Sequence, residues 1–149
     1  MKKICQPLGA SALAVMFVAI AAAVQSGAAD DELDTAPAMA AAQSWLATVD
    51  GGRYAESWDE AAQAFREAVA KEKWQSMVEP VRTQTGNLVA RKVRTAHYTR
   101  DIPNAPKGEY VVIQYDTRFE RIAHAVETVT PMKDPDGKWR VSGYFVKAD

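Results

Sequence analysis

Along the last forty residues, apolar and polar positions alternate in three runs separated by turn residues, the pattern of half-buried β-strands. The first run, 109–119, is dense in β-branched and aromatic side chains: Tyr110, Val111, Val112, Ile113, Tyr115, Thr117 and Phe119. The second spans 125–132 and the third 138–147. Between the last two stand Asp134, Pro135, Asp136 and Gly137, where proline presets φ and glycine supplies a positive φ, so a tight reversal is expected. The three runs predict an antiparallel meander.

The preceding half of the chain changes period. Met39, Ala42, Trp45, Leu46 and Val49 recur at helical spacing after Thr35 and Pro37, a helix-start pair, and Asp50, Gly51 and Gly52 end the run. A short helix or turn is expected over 53–58, and a second helix over 59–70 with Trp58, Phe65 and Val69 on one side. A third is predicted over 73–84, with an apolar face of Trp74, Met77, Val78 and Val81. Pro80 removes one amide donor from it, so a bend or an irregular last turn is expected, and Gly86 suits the left-handed position just past its end. Residues 87–99 alternate less cleanly and carry charge on both faces, the mark of an edge strand. Three helical segments followed by four strands predict an α+β fold: N-terminal helices packed on a curved four-stranded antiparallel sheet. Which sheet face the helices cover is left open, since each mixes apolar and charged residues. Trp45, Trp58, Trp74 and Trp139 are expected to supply much of the core, large apolar side chains each contributing roughly 1.5–3 kcal/mol on burial.

The 149 residues suffice for one domain. The opening has the grammar of a secretory signal: Lys2 and Lys3, an apolar run over 8–24, then Ser26, Gly27, Ala28 and Ala29 before the acidic Asp30, Asp31 and Glu32. The apolar run is shorter than the roughly 20 residues of a spanning helix. The expected organisation is a signal peptide over 1–29, a disordered spacer over 30–36 and a single α+β domain over 37–149, with no membrane span after cleavage and a periplasmic or secreted location. The only cysteine, Cys5, lies inside the signal and before its apolar run, so neither a disulfide within the mature chain nor lipidation after cleavage follows. The net charge is −1, which argues against a nucleic-acid partner. The densest basic cluster, Arg91, Lys92 and Arg94, alternates along the predicted edge strand and reads as a solvated face.

The segments 45–50, 54–58, 108–110, 115–119, 127–129 and 136–144, with Trp74, Arg82 and Gly86, resemble a secreted bacterial family catalogued as domain of unknown function 4019. The resemblance covers nearly all of the chain after the signal and implies no catalytic residue or cofactor. At fold level it is similar to the NTF2-like and cystatin-like group, which hosts enzymes and binding modules alike.

Chemistry-bearing motifs are few. The two histidines, His97 and His124, lie on different segments without a second ligand at metal spacing, and both read as surface residues. There is no thiol outside the signal, no Gly-x-Ser-x-Gly elbow and no phosphate-binding loop. One constellation remains. If the hairpins turn near Arg121 and at Pro135–Asp136, Tyr115 lies opposite Glu127 and Glu127 opposite Tyr144, with Ile113, Val129, Ser142 and Arg140 on the same face. The candidate ligand-binding residues are therefore Glu127, Tyr115, Tyr144 and Arg140; none is assigned as catalytic or metal-binding, and no cofactor is expected. A carboxylate between two phenols fits a structural hydrogen-bond network, a polar ligand site or a general base. The preferred reading is a non-enzymatic binding or accessory protein for a small molecule or an envelope protein. Its rivals are an NTF2-like enzyme with Glu127 as base and Tyr115 or Tyr144 holding an oxyanion, and a homodimer through the exposed sheet face.

Overall fold

The computed structural model describes residues 35–149. The signal and most of the spacer expected from the sequence lie outside the described residues. The element order is α1 (Ala36–Asp50), α2 (Tyr54–Asp59), α3 (Gln63–Ala68), α4 (Lys71–Thr85), β1 (Leu88–Thr99), β2 (Tyr110–Phe119), β3 (Ala125–Lys133) and β4 (Trp139–Ala148). The strands form one antiparallel sheet in the order β1-β2-β3-β4. The helices cover one face, so the expected α+β architecture holds, with β1 at an edge.

The buried layer between helices and sheet is aromatic. Trp45 of α1 and Trp74 of α4 have ring centroids 5.8 Å apart, and each meets the Tyr144 ring of β4 edge-on. Phe65 of α3 meets Trp74 edge-on at 5.3 Å. Edge-to-face pairs add favourable quadrupole contacts to plain burial. An indole buried this deeply must also satisfy its N–H. Ser57, fully buried on α2, serves both: its carbonyl accepts from Trp45 Nε1 at 2.8 Å and its Oγ from Trp74 Nε1 at 3.0 Å. The Trp58 indole donates to the Val69 carbonyl at 2.7 Å. A six-residue helix is too short to persist alone; α2 is held by these bonds.

Three local expectations need correction. The helix expected over 59–70 is shorter, because α2 runs to Asp59 and Ala62 is extended at ψ 150. The Ala62 N–H donates instead to the Val141 carbonyl of β4 at 2.8 Å, which docks the α2–α3 joint on the sheet. The inward face of α4 is rotated from the predicted one: Trp74, Val78, Arg82 and Thr85 are buried, whereas Met77 and Val81 are only half-buried. Gly86 has the expected positive φ (75°), but its ψ of −168° is extended and open to glycine almost alone. A Cβ there would lie 3.0 Å from the Glu120 carboxylate.

The β3–β4 reversal forms as expected, with Gly137 at φ 80° and its N–H on the Asp134 carbonyl at 2.8 Å. The Asp134 carboxylate also accepts from the Gln63 backbone N–H at 3.3 Å, capping α3 from across the fold. Its cation is Arg140, which bonds Asp134 at 2.8 Å and Asp136 through both terminal nitrogens.

Candidate functional site

The alternation of β2 and β3 sends Ile113, Tyr115 and Thr117 inward together with Glu127 and Val129, and Tyr115 stands opposite Glu127 as the hairpin turn requires. The next register differs from expectation by two residues: Glu127 pairs with Val146, and Tyr144 pairs with Val129. A shift of two preserves the face. The Tyr144 hydroxyl, a diagonal neighbour, still donates to Glu127 Oε1 at 2.7 Å. A bulge follows in β4: Gly143 pairs with Thr130 and Val141 with Pro131, leaving Ser142 unpaired between them. The extra residue reverses inward and outward, so Val141 is buried three residues from Tyr144, and Ser142 and Arg140 do not share the Glu127 face. Ser142 Oγ donates to the Thr130 carbonyl at 2.8 Å. The structure thus brings Glu127, Tyr115 and Tyr144 together and leaves Arg140 at the start of β4, its side chain bonded to Asp134 and Asp136 of the β3–β4 turn.

Glu127 is completely buried, and each of its oxygens is engaged twice. Oε2 accepts from Arg91 Nε at 2.5 Å and Thr117 Oγ1 at 2.7 Å; Oε1 accepts from Tyr144 and from Arg91 at 3.1 Å. The Arg91 guanidinium spans to a second carboxylate, Asp50, through Nη1 at 2.7 Å and Nη2 at 3.0 Å. Asp50 Oδ1 in turn accepts from Arg82 Nη2 at 2.8 Å. Arg82 closes the ring, its Nη1 lying 3.4 Å from the Tyr144 hydroxyl and 3.7 Å from Glu127 Oε1. Two carboxylates and two guanidiniums alternate, so the enclosed charge sums to zero.

Arg91, Arg82, Asp50 and Thr117 are absent from the candidate binding residues that the sequence suggests. Arg91 corrects a reading: it lies in the cluster taken for a solvated face, yet its side chain is only 12% exposed. It belongs to the inward set of β1, since it pairs with Thr117 and Val93 pairs with Tyr115. A bulge between Val93 and Thr95 obscures that alternation further along. The clue to Arg82 is its place on α4, eight residues after Trp74 and four after Val78, in line with the buried stripe. Asp50 ends α1, where the helix dipole disfavours a carboxylate; two guanidiniums offset that. All six network residues (Asp50, Arg82, Arg91, Thr117, Glu127 and Tyr144) combine α1, α4 and every strand.

Burial would lower the Arg91 pKa, but hydrogen bonds to Asp50 and Glu127 outweigh it and hold the group above its ordinary range. Arg82 is likewise raised: burial opposes its charge, and Tyr144, Asp50 and Glu127 favour it. Burial, seconded by the Glu127 charge, pushes the Tyr144 phenol well above its ordinary 10.0, against the pull of Arg82. Tyr115 is raised chiefly by burial, and its hydroxyl has no hydrogen-bond partner among the described residues. Among those residues no group of three or more His, Cys, Asp or Glu side chains is placed to hold a metal ion, and no helix is long and apolar enough to cross a membrane. His97 and His124 are both exposed.

A family model described as protein of unknown function (DUF4019) matches residues 41–144. The chain belongs to this family. The DUF4019 match begins within α1 and ends on Tyr144, and so encloses the whole network. No curated protein matches the chain.

Removing one partner from a buried ion pair leaves a stranded charge, at a cost of roughly 3–5 kcal/mol. Arg91→Ala is therefore expected to lose about that much stability in urea denaturation. Tyr115→Phe removes a hydroxyl without a partner and is expected to change stability by less than about 1 kcal/mol. A large loss from Tyr115→Phe together with a negligible one from Arg91→Ala would contradict the geometry. The raised Tyr144 pKa also has a sign. The folded state holds the neutral phenol, so this contribution is complete below the unfolded pKa of 10.0 and disappears as pH rises through the higher folded value. Stability measured from pH 8 to 11 should fall above about 10, and fall less in Tyr144→Phe.

Proposed function

We propose that the chain is an exported, non-enzymatic binding or accessory protein, acting on a small molecule or an envelope protein. One observation carries the reading: the most chemically promising group, the Glu127 carboxylate, accepts two protein hydrogen bonds on each oxygen. A general base needs a lone pair within hydrogen-bond reach of the substrate proton. Here Arg91, Thr117 and Tyr144 already occupy those positions, and Tyr144 spends its own proton on Glu127. Thus the constellation reads as a clamp holding helices to sheet, with binding left to the surface. Export rests on the basic start, apolar run and small residues of 1–29.

Two measurements test this. The purified protein is expected to show no turnover on ester, glycoside, phosphate-ester and isomerisation substrates. Activity abolished in a folded Tyr144→Phe variant would overturn the non-enzymatic reading. Expressed in a bacterium with an outer membrane, the chain should appear outside the cytoplasm with a mass that lacks about the first 29 residues; an intact cytoplasmic chain would overturn export.

A further inference from the structure

At the end of the sheet where β1 and β3 begin and β2 and β4 finish, the surface carries a shallow, open cleft of about 340 Å³. That volume is at the small end of ligand sites. Alternation turns Lys92, Asp116 and Arg118 away from the inward Arg91 and Thr117, and all five line the cleft together with Arg94, His124 and Asp149. The charges are unevenly spent. Arg94 takes both carboxylates, bonding Asp116 at 2.7 Å and lying 3.8 Å from Asp149. Arg118, Lys92 and His124 have no hydrogen bond or ion pair from their side chains among the described residues. What remains is a small concavity with two uncommitted cations and an imidazole on its wall.

We propose that this cleft binds a small oxyanion, a phosphate or carboxylate group, through Arg118, Lys92 and His124. Arg118 supplies a planar fork of N–H donors matched to two oxygens, Lys92 a compact charge and His124 a ring N–H. The Arg94 bridge offsets part of the negative charge of Asp116 and Asp149, which would otherwise repel the anion more strongly. The proposal names a ligand class for the binding reading above and rests on it. The two fail separately, because turnover assays probe Glu127 and the assay below probes only the cleft. At this exposure the attraction is screened by salt, so affinity should fall as ionic strength rises.

The chain has two histidines, which provides an internal reference. His124 lines the cleft, whereas His97 pairs with Val112 towards the other end of the sheet. Imidazole proton resonances of the full-length protein would be followed at constant pH and ionic strength while chloride is replaced by phosphate, or by succinate in a second arm. A saturable shift of His124 several-fold larger than that of His97, lost in Lys92→Gln/Arg118→Gln, is the expected result. Response in one arm only identifies the oxyanion as phosphate or carboxylate. No saturable shift in either arm, equal shifts of both histidines, or an undiminished shift in the double variant would overturn the proposal. All the substituted side chains are on the surface, so folding of the variant is preserved and is checked by the unchanged His97 resonance.

Discussion

A carboxylate with no solvent contact cannot stay charged inside a protein unless donors replace its hydration, and Glu127 sets that demand at the centre of this fold. Arg91 answers it, but a buried guanidinium has donors to spare and needs a second acceptor. Asp50 takes those donors and itself requires more positive charge, which Arg82 brings from α4. Tyr144 and Thr117 fill the remaining lone pairs. Each member is acceptable only because the next is present. The closure also explains why elements far apart in sequence meet in one arrangement: α1 must end at Asp50, α4 must present Arg82, and β1 must turn Arg91 inward.

Such a ring is weak evidence for stability in itself, since desolvating four charges can cost as much as their attraction returns. The apolar layer supplies the main driving force, with Trp45, Trp74, Phe65 and Tyr144 packed edge to face. Tyr144 belongs to both systems, its ring in the aromatic layer and its hydroxyl in the ring of charges. That dual position couples the register of β4 to the seating of α1 and α4. It also explains why chemistry suggested by the residue types is not what their geometry offers: a carboxylate between tyrosines resembles a reactive site until the arginines that saturate it are in view.

Much of this was legible in the sequence, and the rest was hidden for definable reasons. The strand order follows from turn residues, as at Asp134 and Gly137, and from the β-branched density of β2. The nearness of Tyr115, Glu127 and Tyr144 follows from period-two alternation, and an error of two residues in register does not disturb it. Arg140 and Ser142 were misplaced because the β4 bulge inverts parity, and a bulge without a glycine at the unpaired residue leaves little trace. Arg91 was hidden by its company, since a cation beside Lys92 and Arg94 on an edge strand has the composition of a solvated face. Asp50 was read as part of a helix stop, and its partners, 32 and 41 residues away in sequence, appear only when the chain is folded.

The central claim is that Glu127 and Arg91 depend on each other as parts of a closed structural ring. A double-mutant cycle in urea, combining Glu127→Leu with Arg91→Met, tests it most directly. The account predicts that each single change costs several kcal/mol and that the pair together costs less than the sum by about 2 kcal/mol or more, because the second substitution relieves the charge stranded by the first. Strictly additive losses would contradict it.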